Sequence, residues 1–173
     1  MSPSLPSTFH VVSSRSAVLV RARSSVGPIS FATNELEGVI TLAVHDQIVD
    51  TDAPLEARLV VPLTKLTSGN ILYDTELHRR VNARRYPVAV IELSGAKPCG
   101  PSRYELTGEM EFHNVVRTIS GFLTLESPDS TTIVIRGERA FDVREFNLEI
   151  PTSLSLKFYP EVSVEMHLEA RVQ

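Results

Sequence analysis

Apolar residues recur at every second position through most of the chain. One such run leads from Leu36 to Val44, and Glu35, Glu37 and Thr41 lie on its other face. This two-residue period is typical of a β-strand that is buried on one face only. The same alternation predicts about eight strands, at residues 16–23, 35–44, 55–61, 88–93, 103–112, 119–125, 133–137 and 162–172. A series of half-buried strands of this number predicts an all-β sandwich or barrel.

Turn-forming clusters separate these runs, at residues 25–28, 50–54, 97–101, 113–114 and 127–130. Residues 71–85 break the two-residue period. They contain no Gly or Pro, and Leu77 and Val81 lie four positions apart among charged residues, as in an amphipathic helix. Pro87 is expected to stop this helix, because the residue before a proline is pushed out of the helical region. The inserted helix is predicted to cap one end of a barrel or to cover an open edge.

The length and composition of the chain predict one folded domain that spans residues 1–173. The chain is 42% hydrophobic and 22% charged, as in average globular proteins. A net charge of -4 argues against nucleic acid as a partner. No apolar run approaches the roughly 20 residues that cross a bilayer, and residues 1–9 lack the features of an export signal. The expected protein is cytoplasmic, without a transmembrane segment.

Motifs for catalysis or metal binding are missing from the sequence. The lone cysteine, Cys99, cannot form an internal disulfide, and its surroundings do not single it out as a nucleophile. The sequence contains no GxSxG, P-loop or GxGxxG motif. The histidines lack the spacing of metal ligands, at His10, His45, His78, His113 and His167. We therefore expect no metal and no cofactor.

Several short stretches, in their order along the chain, are similar to those of one protein family. The helical stretch with Asp74 and Leu77, followed by Tyr86 and Pro87, resembles an acidic helix that ends in an aromatic–proline pair. Two further stretches resemble the family's strand with a Leu-Thr-Gly start and its Arg-x-x-Phe-Gly segment, at residues 106–113 and 144–148. Residues 160–170 resemble its closing strand. From about residue 9 to residue 172, the chain resembles the YceI-like family.

This resemblance implies a lipocalin-like antiparallel β-barrel of about eight strands with one inserted α-helix, whose apolar interior holds a polyisoprenoid or similar lipid. Three positions depart from the family pattern. Tyr73 stands where an arginine usually precedes the helix aspartate, and Asn114 and Asn147 stand where turns usually have glycine. Since Asn tolerates the left-handed conformation better than most residues, both turns are expected to form.

The predicted ligand-binding residues are those that the alternation places on the inner face of the barrel. They are Val18, Val20, Leu36, Ile40, Leu42, Leu59, Ile91, Leu106, Met110, Ile119, Leu123, Ile133, Ile135, Val164, Met166 and Leu168. An eight-stranded barrel is just wide enough for side chains to fill it or for one small ligand to enter. The sequence leaves both a packed core and a cavity open.

Arginines are the candidates for contact with a polar head group, because their guanidinium groups match phosphate oxygens. We single out Arg80, Arg84 and Arg144. The alternative is a solvated helix face on which Glu76 and Arg80 form an ordinary i,i+4 pair. Arg139 falls on the apolar side of its strand, where a position at the barrel rim is expected.

These features predict a non-catalytic protein that binds, transports or stores an apolar ligand, an isoprenoid or another lipid, in the barrel. Two alternatives stay open. One is an enzyme that acts on a small apolar substrate at the barrel mouth, with His113 or Arg144 as polar participants. The other is a structural or interaction module whose barrel is fully packed. The sequence leaves a homodimer open as well.

Overall fold

The structure is a computed structural model that describes residues 5–149 and 157–172. Its strands are β1 (Ser7–Val11), β2 (Ala17–Ser24), β3 (Gly27–Thr33), β4 (Glu37–His45), β5 (Ile48–Asp50), β6 (Glu56–Pro62), β7 (Val88–Gly100), β8 (Arg103–Phe112), β9 (Val115–Asp129), β10 (Thr132–Asp142) and β11 (Phe158–Val172). The α-helix α1 spans Ile71–Arg80, and short 3₁₀ helices lie at Ser13–Arg15, Leu63–Lys65 and Val143–Phe146.

Eight strands close into an antiparallel barrel in the order β1-β4-β6-β7-β8-β9-β10-β11. The ring closes because β1 pairs on one side with β4 and on the other with β11. Phe9 is thus paired with both Ile40 and Val172. Beyond β1, the hairpin of β2 and β3 continues the wall along the first half of β11. The predicted all-β barrel with one inserted helix is confirmed.

The barrel core follows the two-residue alternation read from the sequence. In β8, Tyr104, Leu106 and Phe112 are buried, whereas Arg103 and Glu109 are exposed. The largest fully buried side chains come from strands β1, β3, β4 and β10 and from the last 3₁₀ helix. They are Phe9, Phe31, Leu42, Ile133 and Phe146. Each strand therefore contributes one apolar face to a single interior cluster.

The helix α1 ends at Arg80, five residues before the end predicted from the sequence. At its start, the Asn70 side chain accepts hydrogen bonds from the backbone N–H groups of residues 72 and 73. At its end, Asn82 adopts a left-handed conformation with φ 52°. The backbone N–H groups of Asn82 and Ala83 donate to the carbonyls of Arg79 and His78, at 3.2 and 2.9 Å. This Schellman arrangement, and not Pro87, ends the helix.

Two predicted turns lie further along the chain than expected. Strands β7 and β9 continue through Pro98 and Pro128, and the turns fall after Gly100 and Asp129. Pro98 is tolerated beside an irregularity in the β7–β8 register. The asparagine turns form as expected, with Asn114 at φ 60° and Asn147 at φ 58°. Of the helices in the described residues, none has the length and apolar character needed to cross a membrane.

The path of the chain places α1 across one end of the barrel. A two-residue bridge joins Ala32 of β3 to Thr67, with both N···O distances at 3.0 Å. The Asp74 carboxylate then accepts hydrogen bonds from the hydroxyls of Thr67 and Ser68 and from the Ser68 backbone N–H, each at 2.7 Å. Partial burial opposes ionisation of Asp74, but these hydrogen bonds outweigh it and lower its pKa. The start of α1 is thereby fixed to the barrel wall.

Candidate functional site

An apolar cavity of about 150 Å³ lies inside the barrel beneath α1. The described residues that line it are aliphatic or aromatic except for Arg80 and Glu149. Strands β2, β6, β7, β8, β10 and β11 form its walls. Leu77 and Val81, four residues apart at the end of α1, point into it together with Phe146 of the last 3₁₀ helix. The helix and this 3₁₀ segment thus form a roof over the cavity.

A second cavity of about 40 Å³ lies deeper in the barrel. Ile91 of β7 lines both cavities. The smaller space is also lined by residues of the opposite wall, among them Ile135 and Met166. The barrel interior is therefore open under the roof and almost filled further down.

The predicted ligand-binding residues are divided among three places. Five of them line the larger cavity, at Val18, Val20, Ile91, Met110 and Val164. Seven line the smaller one, at Ile40, Leu59, Ile91, Leu123, Ile135, Met166 and Leu168. The rest line neither: Leu36, Leu42, Leu106 and Ile133 are buried in the core, and Ile119 is half-buried on β9. A ligand in the larger cavity would touch only the first group directly.

Sequence reasoning missed most of the roof and several wall residues, among them Val61, Phe112 and Phe141. The missed lining residues include Leu63, Val143, Phe146 and Leu148, which lie outside the alternating runs or at their ends. Ala22 and Ala89 also line the cavity, and their short side chains leave part of its space unfilled. Leu77 and Val81 did carry a signal, namely their helical spacing. It indicated a buried helix face but not which end of the barrel that face covers.

Arg80 is the predicted head-group residue that reaches the cavity. Its side chain is only 8% exposed, and its Nε donates to Glu76 Oε1 at 2.6 Å. Its guanidinium carbon lies 4.8 Å from the centre of the Phe158 ring. Hydrogen bonds from Arg79 and then Arg80, partly opposed by burial, lower the pKa of Glu76. The roof therefore contains a positive group whose charge is balanced by an adjacent carboxylate.

The other two predicted head-group residues lie away from the cavity lining. Arg84 is exposed in the turn that follows α1. Arg144 is exposed and pairs with Asp142, whose Oδ2 lies 2.7 Å from its Nη2. Hydrogen bonds from Arg144 lower the pKa of Asp142. The three arginines are thus not brought together at one point.

His113, a candidate for a polar role at the mouth, holds the roof in place. Its Nδ1 lies 3.2 Å from the carbonyl oxygen of Phe146, and its ring packs edge-on against Tyr86 at 5.2 Å. It therefore joins the β8–β9 turn to the 3₁₀ helix of the roof. Within residues 5–149 and 157–172, no group of three or more His, Cys, Asp or Glu residues could hold a metal ion. Cys99 is exposed near the end of β7.

Comparisons with known proteins agree with this geometry. A family model described as a YceI-like domain matches residues 9–170. The structure of Burkholderia cenocepacia BcnA aligns with a TM-score of 0.78 at 18% identity, over 92% of this chain and 98% of that chain. A polyisoprenoid binding domain from Saccharophagus degradans, implicated in plant cell wall breakdown, aligns with a TM-score of 0.75 at 14% identity, over 95% of this chain and 98% of its own.

The YCEI protein of Campylobacter jejuni aligns with a TM-score of 0.63 at 13% identity, over 80% of this chain and 82% of that chain. No curated protein sequence matches this chain. The structural likenesses, at these identities, establish a shared fold. The match to the family model covers nearly the whole chain, and the chain therefore belongs to the YceI-like family.

Proposed function

We propose that this protein binds an apolar ligand of the isoprenoid class in the cavity beneath α1 and carries or stores it without chemical change. The observation that carries the proposal is the apolar lining of a cavity of about 150 Å³. Burial of hydrocarbon in such a space stabilises a complex by about 25 cal/mol for each Å² removed from water. The Saccharophagus degradans relative, described as a polyisoprenoid binding domain, supports the choice of ligand class.

The cavity volume limits the length of chain that the barrel encloses. An apolar cavity of roughly 150 Å³ holds one benzene molecule, which has six carbon atoms. The deeper space of about 40 Å³ adds little, and Ile91 is the one described residue that it shares with the lining of the larger cavity. We therefore expect the barrel to enclose about one to two isoprene units. Affinity should increase from a C5 to a C10 prenyl alcohol and change little with longer chains.

The non-catalytic part of the proposal is supported by the contacts of the polar side chains near the cavity. Arg80 is paired with Glu76, and Glu149 is exposed at the cavity edge. His113 and Arg144, the polar participants of the enzyme alternative, are engaged with Phe146 and Asp142. None of these contacts pairs a general acid with a general base across the cavity. Contact of Arg80, Arg84 and Arg144 with a ligand head group stays a prediction.

Titration calorimetry with prenyl alcohols of five to twenty carbons tests the proposal. Met110, which is half-buried and lines the larger cavity, is replaced by Trp to fill the space. The neighbouring Glu109 on the outer face of β8 is replaced by Trp as a matched control. We expect Met110→Trp to weaken binding at least about tenfold, because each ligand methylene that the cavity no longer buries reduces the binding free energy by roughly 0.8 kcal/mol. Glu109→Trp should bind as the parent does.

The result that would overturn the proposal is the absence of binding by any prenyl alcohol to the parent protein. Equal loss in both Trp variants would also overturn it, since the outer variant leaves the cavity unchanged. Denaturation midpoints of both variants establish that each is folded. Recovery of the unaltered alcohol after incubation tests the non-catalytic part, and conversion of the alcohol would contradict it.

A further inference from the structure

The barrel wall contains a seam between β9 and β10. The two strands pair from Asp129 and Thr132 as far as Leu123 and Gly137. Beyond Gly137, β10 remains paired with β11, and β9 remains paired with β8. The ladder between β9 and β10 is thus missing for about five residues on each strand, at 118–122 and 138–142.

Contacts above the seam limit its length. Arg117 Nε donates to the carbonyl oxygen of Glu145 at 2.9 Å, which joins β9 to the 3₁₀ helix after β10. The contact between His113 and Phe146 lies beyond it in the same direction. The seam is therefore a bounded opening in the wall, closed by paired strands on one side and by the roof on the other.

Arg139 lies in this seam and reaches both sides of the wall. Its partner on β11 is Val164, which lines the larger cavity, so its register places it on the inner face. It nevertheless lines an outer groove together with Phe122. An inward residue can reach the outer surface only where the wall is open. Arg139 is half-buried, as expected for a side chain that passes through such an opening.

Contacts of Arg139 connect the groove to the cavity. A side chain on Gly121 would meet its Cδ at 3.4 Å, so the arginine stem crosses the seam where Gly121 leaves room. Its guanidinium carbon lies 4.4 Å from the centre of the Phe141 ring. Phe141 itself lines the larger cavity. The positive group of Arg139 is therefore separated from the cavity by one aromatic ring.

Two further arginines lie in the same groove. Arg103 pairs across β9 with Thr124, which pairs in turn with Arg136 of β10. Two strand spacings, about 10 Å, therefore separate Arg103 from Arg136, with the Thr124 position between them. In the described part of the chain, neither these two nor Arg139 forms an ion pair with a carboxylate.

Two acidic residues also line the groove. The Glu138 carboxylate accepts a hydrogen bond from the Ser163 hydroxyl at 2.9 Å. Glu105 of β8 pairs with Phe122 of β9 and lines the groove with it. Three arginines against two carboxylates leave the groove positive, although the whole chain carries a charge of -4. A groove of this charge favours an anion at its centre.

We propose that the seam is a binding site for the anionic head group of an amphiphile with a short apolar tail. Arg139, with Arg103 and Arg136, holds a carboxylate or phosphate in the outer groove, and the tail enters the cavity past Phe141. This inference rests on the proposed function of the cavity. It places the head group on the side of the barrel, away from Arg80 and Arg84 at the end covered by α1.

The test compares geraniol, geranic acid and geranyl phosphate, which share a C10 chain and differ in head group. Titration calorimetry at low salt should give an affinity for an anionic ligand about tenfold or more above that for geraniol, since hydrogen bonds to a charged group are the stronger ones. The two anions show whether the groove takes a carboxylate, a phosphate or both. This preference should shrink as salt is added, because exposed charges are screened.

Variants locate the head group. Arg139→Gln should remove the preference and leave geraniol binding within about twofold of the parent, which also shows that the variant is folded. Arg139→Lys keeps the charge and should retain part of the preference. Arg21→Gln is the matched control, because Arg21 is an exposed arginine of β2 that lines neither the groove nor the cavity, and this variant should behave as the parent.

Two results would overturn the inference while leaving the cavity proposal intact. One is equal affinity of the parent for geraniol and for both anions. The other is a preference that survives Arg139→Gln but is lost in Arg84→Gln or Arg80→Gln, which places the head group beneath α1. Failure of all three ligands to bind the parent would overturn the proposed function as well.

Discussion

Substitution of Ala89 by Leu distinguishes a usable cavity from a packed core by the sign of its effect on stability. Ala89 is buried on β7, pairs with Val61 of β6, and lines the larger cavity together with it. Leucine adds three carbon atoms in a space of about 150 Å³. Each newly buried methylene contributes roughly 0.8 kcal/mol, so we expect the free energy of unfolding to increase by up to about 2 kcal/mol.

The same substitution at Ala43 is the matched control. Ala43 is 0% exposed, yet it lines neither cavity. Extra carbons there have no space to enter, and overpacking of this kind costs about 1–3 kcal/mol. Urea denaturation of both variants measures the difference, with unchanged m-values as the condition for comparing midpoints.

Ligand binding gives an independent measure of the same space. Because leucine at position 89 would occupy about half of the volume available to six carbon atoms, geraniol should bind Ala89→Leu at least about tenfold more weakly. A loss of stability in Ala89→Leu as large as that in Ala43→Leu would refute the reasoning. The space beneath α1 would then be too irregular to accept a side chain or a ligand.

Two further predictions concern α1, the helix that roofs the cavity. The folded protein lowers the pKa of Glu76 below its usual value of 4.5, so the unfolded chain takes up the proton first as the pH falls. The stability that Glu76 contributes is therefore present above about pH 4.5 and is lost as the pH falls through the lowered pKa of the folded protein. The difference in urea midpoint between the parent and Glu76→Gln should be constant near neutral pH and should vanish in acid. Asn82→Ala should cost about 1 kcal/mol of stability, because alanine tolerates the left-handed conformation poorly, whereas Asn82→Gly should cost little; equal losses in the two variants would contradict this account of the helix end.

The sequence by itself determined the class of fold, because alternation of apolar and polar residues reports which face of each strand is buried. That local signal is strong in β8, where Leu106 and Met110 alternate with Glu109 and Glu111. The sequence also identified the turn at Asn114 from its own residues, and the family resemblance implied the turn at Asn147, since a left-handed residue requires a particular side chain rather than a distant partner. It missed β1, β3 and β5, of which β1 closes the ring.

The end of α1 was predicted from Pro87, although the sequence contains a second local signal, Asn82, that marks the true end. Pro87 is a strong helix breaker, yet the Schellman contacts at Asn82 end the helix earlier. Asparagine at the position after a helix is itself a known signal for such an end. The earlier end also leaves Arg84 in a turn rather than on the helix face expected for it.

Only the tertiary structure decided which inward residues face an open space and which fill the core. Leu42 and Met110 carry the same alternation signal, but the former is fully buried and the latter lines the cavity. The roof above Met110 forms where α1 crosses the barrel, and the seam at Arg139 forms where the β9–β10 ladder stops. Periodicity depends on residues two positions apart in one strand. Cavities and openings depend on the register and separation of strands that are distant in the chain, and no local pattern records those distances.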